Sequence, residues 1–135
     1  MSETSSRLII VRDGMALMSR GDSGSVKFVG GRLLPGEDPL TGAIREGREE
    51  TGVDLTSQAE SIFSLPFQRT NSNRPSYWYG LVLDSLANFE PIPADDVVAL
   101  FWVELNLVES KLTHDTWKEH WINCLLPGLL AQGID

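Results

Sequence analysis

Residues 31–53 read GRLLPGEDPLTGAIREGREETGV. Asp38 can cap free backbone N–H groups, and Pro39 suits the first helical position, where its missing donor does no harm. Gly52 can adopt the left-handed conformation just past a last turn. These signals predict a helix from Pro39 to Thr51, with Leu40, Ala43, Ile44 and Gly47 as its core-facing stripe. At about 100° per residue, Glu46, Glu49 and Glu50 fall within an arc of about 100° turned away from that stripe. Like charges so placed repel by a few tenths of a kcal/mol per pair, so the helix gains no stability from them.

A divalent cation makes the arrangement favourable. Mg²⁺ is a hard ion that takes carboxylate oxygens and shares its remaining positions with water and phosphate. It would join an acidic protein to an anionic diphosphate and lower the pKa of a water. Arg45 stands four residues before Glu49, within reach to orient a carboxylate from the same helix. A plain solvated face is the ordinary explanation of a charge run. Against it stand the glycine turn before the helix, the isolated Glu37 in the loop, the capped start and the glycine stop, all in fixed register.

Outward from this helix the chain reads mostly as strands. Leu8 to Val11 is an apolar run, Asp13-Gly14 is a hairpin signal, and Met15 to Ser19 forms the return strand. Gly21 to Ser25 is a loop, and Val26 to Val29 is a short strand that Gly30-Gly31 should end. Ala59 to Leu65, Ser76 to Leu83 and Val97 to Leu105 are rich in aromatic and β-branched residues, which favours three further strands. A last helix from Asp115 to Leu126 carries Trp117, Trp121 and Leu125 on one face, and Pro127-Gly128 should stop or kink it. Strands interrupted by two separated helices predict an α+β fold, a mixed sheet packed between helices in a single domain over residues 1–135.

The quoted stretch resembles the signature box of the Nudix hydrolases. Gly31, Glu37, Arg45, Glu46, Glu49, Glu50, Gly52 and Val53 occupy the specified places of that box at its spacing, a match far more specific than a short glycine motif. The resemblance implies an α/β/α sandwich and a Mg²⁺-dependent pyrophosphohydrolase, with Mn²⁺ as a substitute ion. It also implies that Glu46, Glu49 and Glu50 bind the metal, aided by a backbone carbonyl at Gly30 or Gly31. Glu49 or Glu50 would assist as base, while Arg45 and Glu37 brace loop and helix and Gly31 and Gly52 frame them. Gly47 stands where the family prefers an aliphatic residue, a change that either weakens the helix or allows close packing. Val29 stands where many relatives have proline.

The reaction so implied is attack of a metal-activated water on a pyrophosphate bond in a nucleoside diphosphate linked to another moiety, such as a nucleoside triphosphate or nucleotide sugar. A net charge of −8 argues against general nucleic-acid binding. The single cysteine, Cys124, excludes an intramolecular disulfide, fits a reducing compartment and reads as a small core residue. No segment has the length of a membrane span, so a cytoplasmic monomer or homodimer with a small-molecule nucleotide substrate is expected.

Asp96, nearest the following strand among Glu90, Asp95 and Asp96, is the candidate for an extra carboxylate. Arg69, Asn71, Asn73 and Arg74 form a polar loop that suits a phosphate or sugar. His114 and His120 read as surface or helix-end residues. The rival function is a Nudix-fold module that binds a nucleotide without cleaving it.

Overall fold

In the computed structural model, which describes residues 4–66 and 76–134, the first strand, β1 (Ser5–Arg12), is the centre of a mixed sheet. Its side chains alternate between two cores. Leu8 and Ile10 join one that includes Ala43, Leu55 and Leu81, whereas Ile9 and Val11 join another with Trp78, Trp121, Leu125 and Leu129. All four β1 residues are at most 1% exposed, so the strand must be covered on both faces. Helices supply that cover, and the fold is α+β with the sheet between layers, as expected.

The Asp13-Gly14 turn forms with positive φ at both residues (53° and 73°), the backbone that suits a two-residue hairpin. It leads into β2 (Met15–Gly21). β2 pairs with β1 only at Val11↔Ala16 and Arg12↔Met15, then diverges to run antiparallel to β7 (Val97–Glu104). The N-terminal half of β1 is paired instead by β4 (Val29–Arg32), from Leu8↔Val29 to Ser5↔Arg32. On its other edge β1 runs parallel to β6 (Ser76–Val82), which carries the short antiparallel β5 (Phe63–Leu65). The divergence of β2 from β1 opens the cleft described below.

Helix α1 (Pro39–Thr51) has the expected ends. Asp38 Oδ2 accepts from the Leu40 and Thr41 amides at 3.1 and 3.2 Å, and Gly52, at φ 76°, donates its N–H to Arg48 O at 2.8 Å. The buried face is rotated from the predicted stripe, toward Gly42 and Glu50. Gly42, Ala43, Gly47, Glu50 and Thr51 are buried, while Leu40 and Ile44 are half-exposed at its border. Glu50, adjacent to Ala43 in helical projection, therefore falls on the sheet side, and only Glu49 faces open solvent.

Four expected element boundaries need correction. Val26 to Val29 is two strands, β3 (Val26–Lys27) pairing with β2 and β4 pairing with β1. Gly30-Gly31 does not end β4, which continues to Arg32, because β1 lies so close that a Cβ at Gly30 would strike Ser6 O. Residues Thr56–Ser61 form a 3₁₀ helix and leave only Phe63–Leu65 as strand, since Asp54 Oδ1 accepts from Thr56 N at 2.9 Å and turns the chain. Finally, of the stop or kink expected at Pro127-Gly128 in the C-terminal helical run, the stop does not occur.

That run starts as α3 (Asp115–His120), passes through a π-helical turn at Trp121–Leu125, and continues as α4 (Leu126–Leu130). Pro127 sits in the first turn of α4, where the lost donor is tolerated. Gly128 is needed there, since a Cβ would lie 2.7 Å from Pro66 Cδ. Before α3, the short α2 (Val108–Lys111) was not anticipated. Cys124 is half-buried in the π turn rather than in the core, and His120, of the two places expected for it, takes the end of helix α3, buried there at 7% exposure.

Gly47 has room that close packing would not leave. A Cβ there would lie 3.9 Å from both Leu55 Cδ1 and Leu8 Cδ2, an ordinary contact. Gly47→Ala is expected to stabilise the protein by about 0.5–1 kcal/mol through reduced backbone entropy in the unfolded chain, read as a higher Tm in thermal unfolding.

Candidate active site

Three parts of the chain converge on one cleft of about 330 Å³: the β1–β4 seam, one face of α1, and the turn leading into β7. Arg7, Gly30, Gly31, Glu46, Glu50 and Asp96 line it, together with Ser19, Lys27 and the loop after β2. The structure thus brings together Glu46, Glu50 and Asp96. Asp95 joins them with φ 59°, while Glu90 is not part of the lining. Glu49 is more exposed and is also outside it, held by Arg45.

Arg45 is the hub of this surface. Its Nε donates to Glu37 Oε2 at 2.8 Å and Nη2 donates to Glu37 Oε1 at 3.0 Å, the forked geometry of a strong charge-assisted pair. Nη1 donates to Glu46 Oε1 and to both Glu49 oxygens at 3.2 Å, and Nη2 also donates to Arg32 O at 3.1 Å. Glu37 Oε1 in turn accepts from Leu34 N at 2.9 Å. One guanidinium therefore ties the loop, β4 and α1 together. Hydrogen bonding to Arg45 holds the Glu37 carboxyl below its ordinary pKa, and the same bonds raise that of Arg45.

Glu50 is in a different state. Only 7% exposed, it accepts a hydrogen bond from Gly30 N at 2.8 Å. Burial pushes its pKa up to about 7, a rise opposed by that hydrogen bond and by the charge of Arg7 and reinforced by Glu46 and Asp96. Burial also raises Glu46, against the pull of Arg45. Gly31 makes room for this crowding, because a Cβ there would lie 2.7 Å from Glu46 Cδ. Among the described residues, no three acidic, histidine or cysteine side chains are gathered closely enough to hold an ion as they stand. Arg45 accounts for this in part, since it draws the Glu46 and Glu49 carboxylates toward itself.

The chain matches the NUDIX domain family over residues 2–124. The chain belongs to the Nudix hydrolase family. Solved structures carry the Nudix fold at low identity. A bifunctional NMN adenylyltransferase/ADP ribose pyrophosphatase from Francisella tularensis, complexed with AMP and a Mn ion, is 18% identical with a TM-score of 0.72. The alignment covers 98% of this chain but only 42% of that one. An Ap4A hydrolase from C. elegans is 16% identical with a TM-score of 0.72, over 96% of this chain and 98% of the other. The dihydroneopterin triphosphate pyrophosphohydrolase of E. coli is 16% identical with a TM-score of 0.67, over 88% and 92%. No curated protein sequence matches the chain.

Within this Nudix domain, sequence reasoning passed over Arg7. The signal was available, since a charged residue opens an unbroken apolar strand at a position that alternates with Ile9 and Val11. Lys27 and Ser19 gave no such signal. Arg69, Asn71, Asn73 and Arg74 lie outside the described residues. Trp117 and Trp121 anchor the C-terminal helices, both stacking against Phe28. Among the described residues, no helix is long and apolar enough to cross a membrane.

Proposed function

We propose that residues 1–135 form a single Nudix hydrolase domain that cleaves a pyrophosphate bond in a nucleoside diphosphate linked to another moiety, a nucleoside triphosphate or nucleotide sugar being representative. Glu46, Glu49 and Glu50 would hold Mg²⁺, with Mn²⁺ able to replace it. The observation that carries this reading is Glu50, a carboxylate buried in the cleft beside Glu46 and Asp96 and raised to about 7 by that burial. Crowded, desolvated carboxylates fit a divalent cation, which offsets their repulsion, and an all-oxygen donor set is the one hard ions select.

When bound, the ion supplies Lewis acidity toward phosphoryl oxygens and water. The chain's own residues do the rest. Arg45 and Glu37 fix α1 against its preceding loop, so that the carboxylates keep their register. Glu50, or Glu49, accepts the proton of the attacking water. Asp96 adds a further carboxylate at the cleft wall. The cleft admits a small nucleotide, and the negative net charge turns away nucleic acid in general.

The test is phosphate release from a panel of nucleotides with and without Mg²⁺, on the parent and on Glu49→Gln. Turnover that requires Mg²⁺ and falls in Glu49→Gln is expected. Thermal stabilisation by a nucleotide with no turnover of any compound would replace hydrolysis by binding alone.

A further inference from the structure

An anionic substrate entering an acidic protein needs a cation that is not already engaged. Arg45 is not that cation, since its Nε, Nη1 and Nη2 are all committed to Glu37, Glu46, Glu49 and Arg32 O. Lys27 and Arg32 line the cleft but are exposed, where a single charge is screened by solvent. Arg7 differs from both. It rises from β1 into the cleft, half-buried, with Nη1 donating to Phe28 O at 3.1 Å and its guanidinium carbon 5.0 Å from the centre of the Trp117 ring.

Among the described residues, no carboxylate lies within ion-pair distance of Arg7, although Glu50, Glu46 and Asp96 are close enough to act on its charge. Trp117 is itself fixed by stacking on Phe28 at an interplanar angle of 7° and by an edge contact with Trp78. The guanidinium is thus held on an aromatic platform beside the acidic wall, without being neutralised by a salt bridge. A planar fork presented in this way matches the spacing of two oxygens on one phosphate.

We propose that Arg7, backed by Trp117, is the substrate-gripping residue of this cleft and binds non-bridging oxygens of the diphosphate across from Glu46 and Glu50. This rests on the reading of the cleft as a pyrophosphate site. It goes beyond the Nudix box, because Arg7 and Trp117 lie outside it and come from β1 and α3.

The test titrates methylenediphosphonate, an uncleavable diphosphate, into the parent, Arg7→Lys, Arg7→Gln and Trp117→Leu in the presence of Mn²⁺, after measuring Mn²⁺ affinity alone. Arg7→Gln should weaken the diphosphate by roughly 10- to 100-fold, the range for losing hydrogen bonds to a charged group. Arg7→Lys should lose much of the same affinity, since it keeps the charge but not the fork, and KM should rise for any nucleotide that is cleaved. Mn²⁺ affinity should hold or tighten, because a cation near the acidic wall has gone.

Parent-like diphosphate affinity in a folded Arg7 variant would overturn the proposal. So would weakening that merely follows a loss of Mn²⁺ binding, or a parent that does not bind the probe at all. Should neither Arg7 variant fold, Trp117→Leu decides through the same ratio, with parent-like affinity again overturning it. A parent that binds the probe yet cleaves no nucleotide would refute hydrolysis while leaving the Arg7 comparison intact.

Discussion

Glu50→Gln is expected to lower Mg²⁺-dependent turnover on the order of 10³-fold while making the metal-free protein more stable near pH 8. The first effect follows if Glu50 is a metal ligand or the base, since either role contributes several kcal/mol to the transition state. The second follows from burial. The Glu50 pKa rises from 4.5 to about 7 on folding, so the folded state binds more protons than the unfolded state between those values. Its contribution to stability is therefore fully present below about pH 4.5 and is lost as pH rises through about 7. A shift of that size corresponds to at most about 3 kcal/mol.

Gln removes the charge and keeps an oxygen that can accept from Gly30 N, so the seam between α1 and β4 survives. Chemical denaturation of parent and variant without metal, between about pH 5 and 8, gives the check. The parent should lose stability with rising pH where the variant does not, and saturating Mg²⁺ should restore the parent alone. A variant that is less stable than the parent near pH 8, or equally active, would remove Glu50 from the role given to it.

The parts of this molecule that were legible in its sequence are those fixed by local chemistry. Asp38, Pro39 and Gly52 mark the ends of α1 because caps act within one turn, and Asp13-Gly14 marks its hairpin for the same reason. The division of Leu8 to Val11 between two cores was concealed, since a strand covered on both faces shows an unbroken apolar run. The split of Val26 to Arg32 between two partners was not legible either. It depends on where β2 leaves β1, a long-range matter that Gly30-Gly31 does not encode.

The same division holds for the site. Glu46, Glu49 and Glu50 could be placed on one helical face from spacing alone, yet their different environments could not. Glu50 is buried because β4 passes over the edge of α1, and Glu49 is exposed because nothing does. Asp96 and Arg7 reach the cleft from elements far apart in the chain, which only the sheet brings together.

Gly30 and Gly31 offer the sharpest contrast between fold and site, and the two alanine substitutions are expected to fail in different ways. At Gly30 the backbone has φ 148°, and a Cβ would collide with Ser6 O and lie 2.8 Å from Arg7 Cα. Backbone in a paired strand cannot yield, so Gly30→Ala should cost about 3 kcal/mol or more of stability, measured by denaturant unfolding. At Gly31 the collision is with the end of a flexible side chain, the Glu46 carboxyl at 2.7–2.8 Å. Gly31→Ala should therefore fold with a stability change within about 1 kcal/mol but push Glu46 out of register. Displacing a ligand by about 1 Å can cost on the order of 10²-fold in kcat/KM. Activity lost from a folded Gly31→Ala, with every carboxylate still present in the chain, would tie catalysis to where Glu46 sits and not merely to its charge. Full activity would mean that the position of Glu46 is not required, and the metal site would have to be rebuilt from Glu49, Glu50 and Asp96.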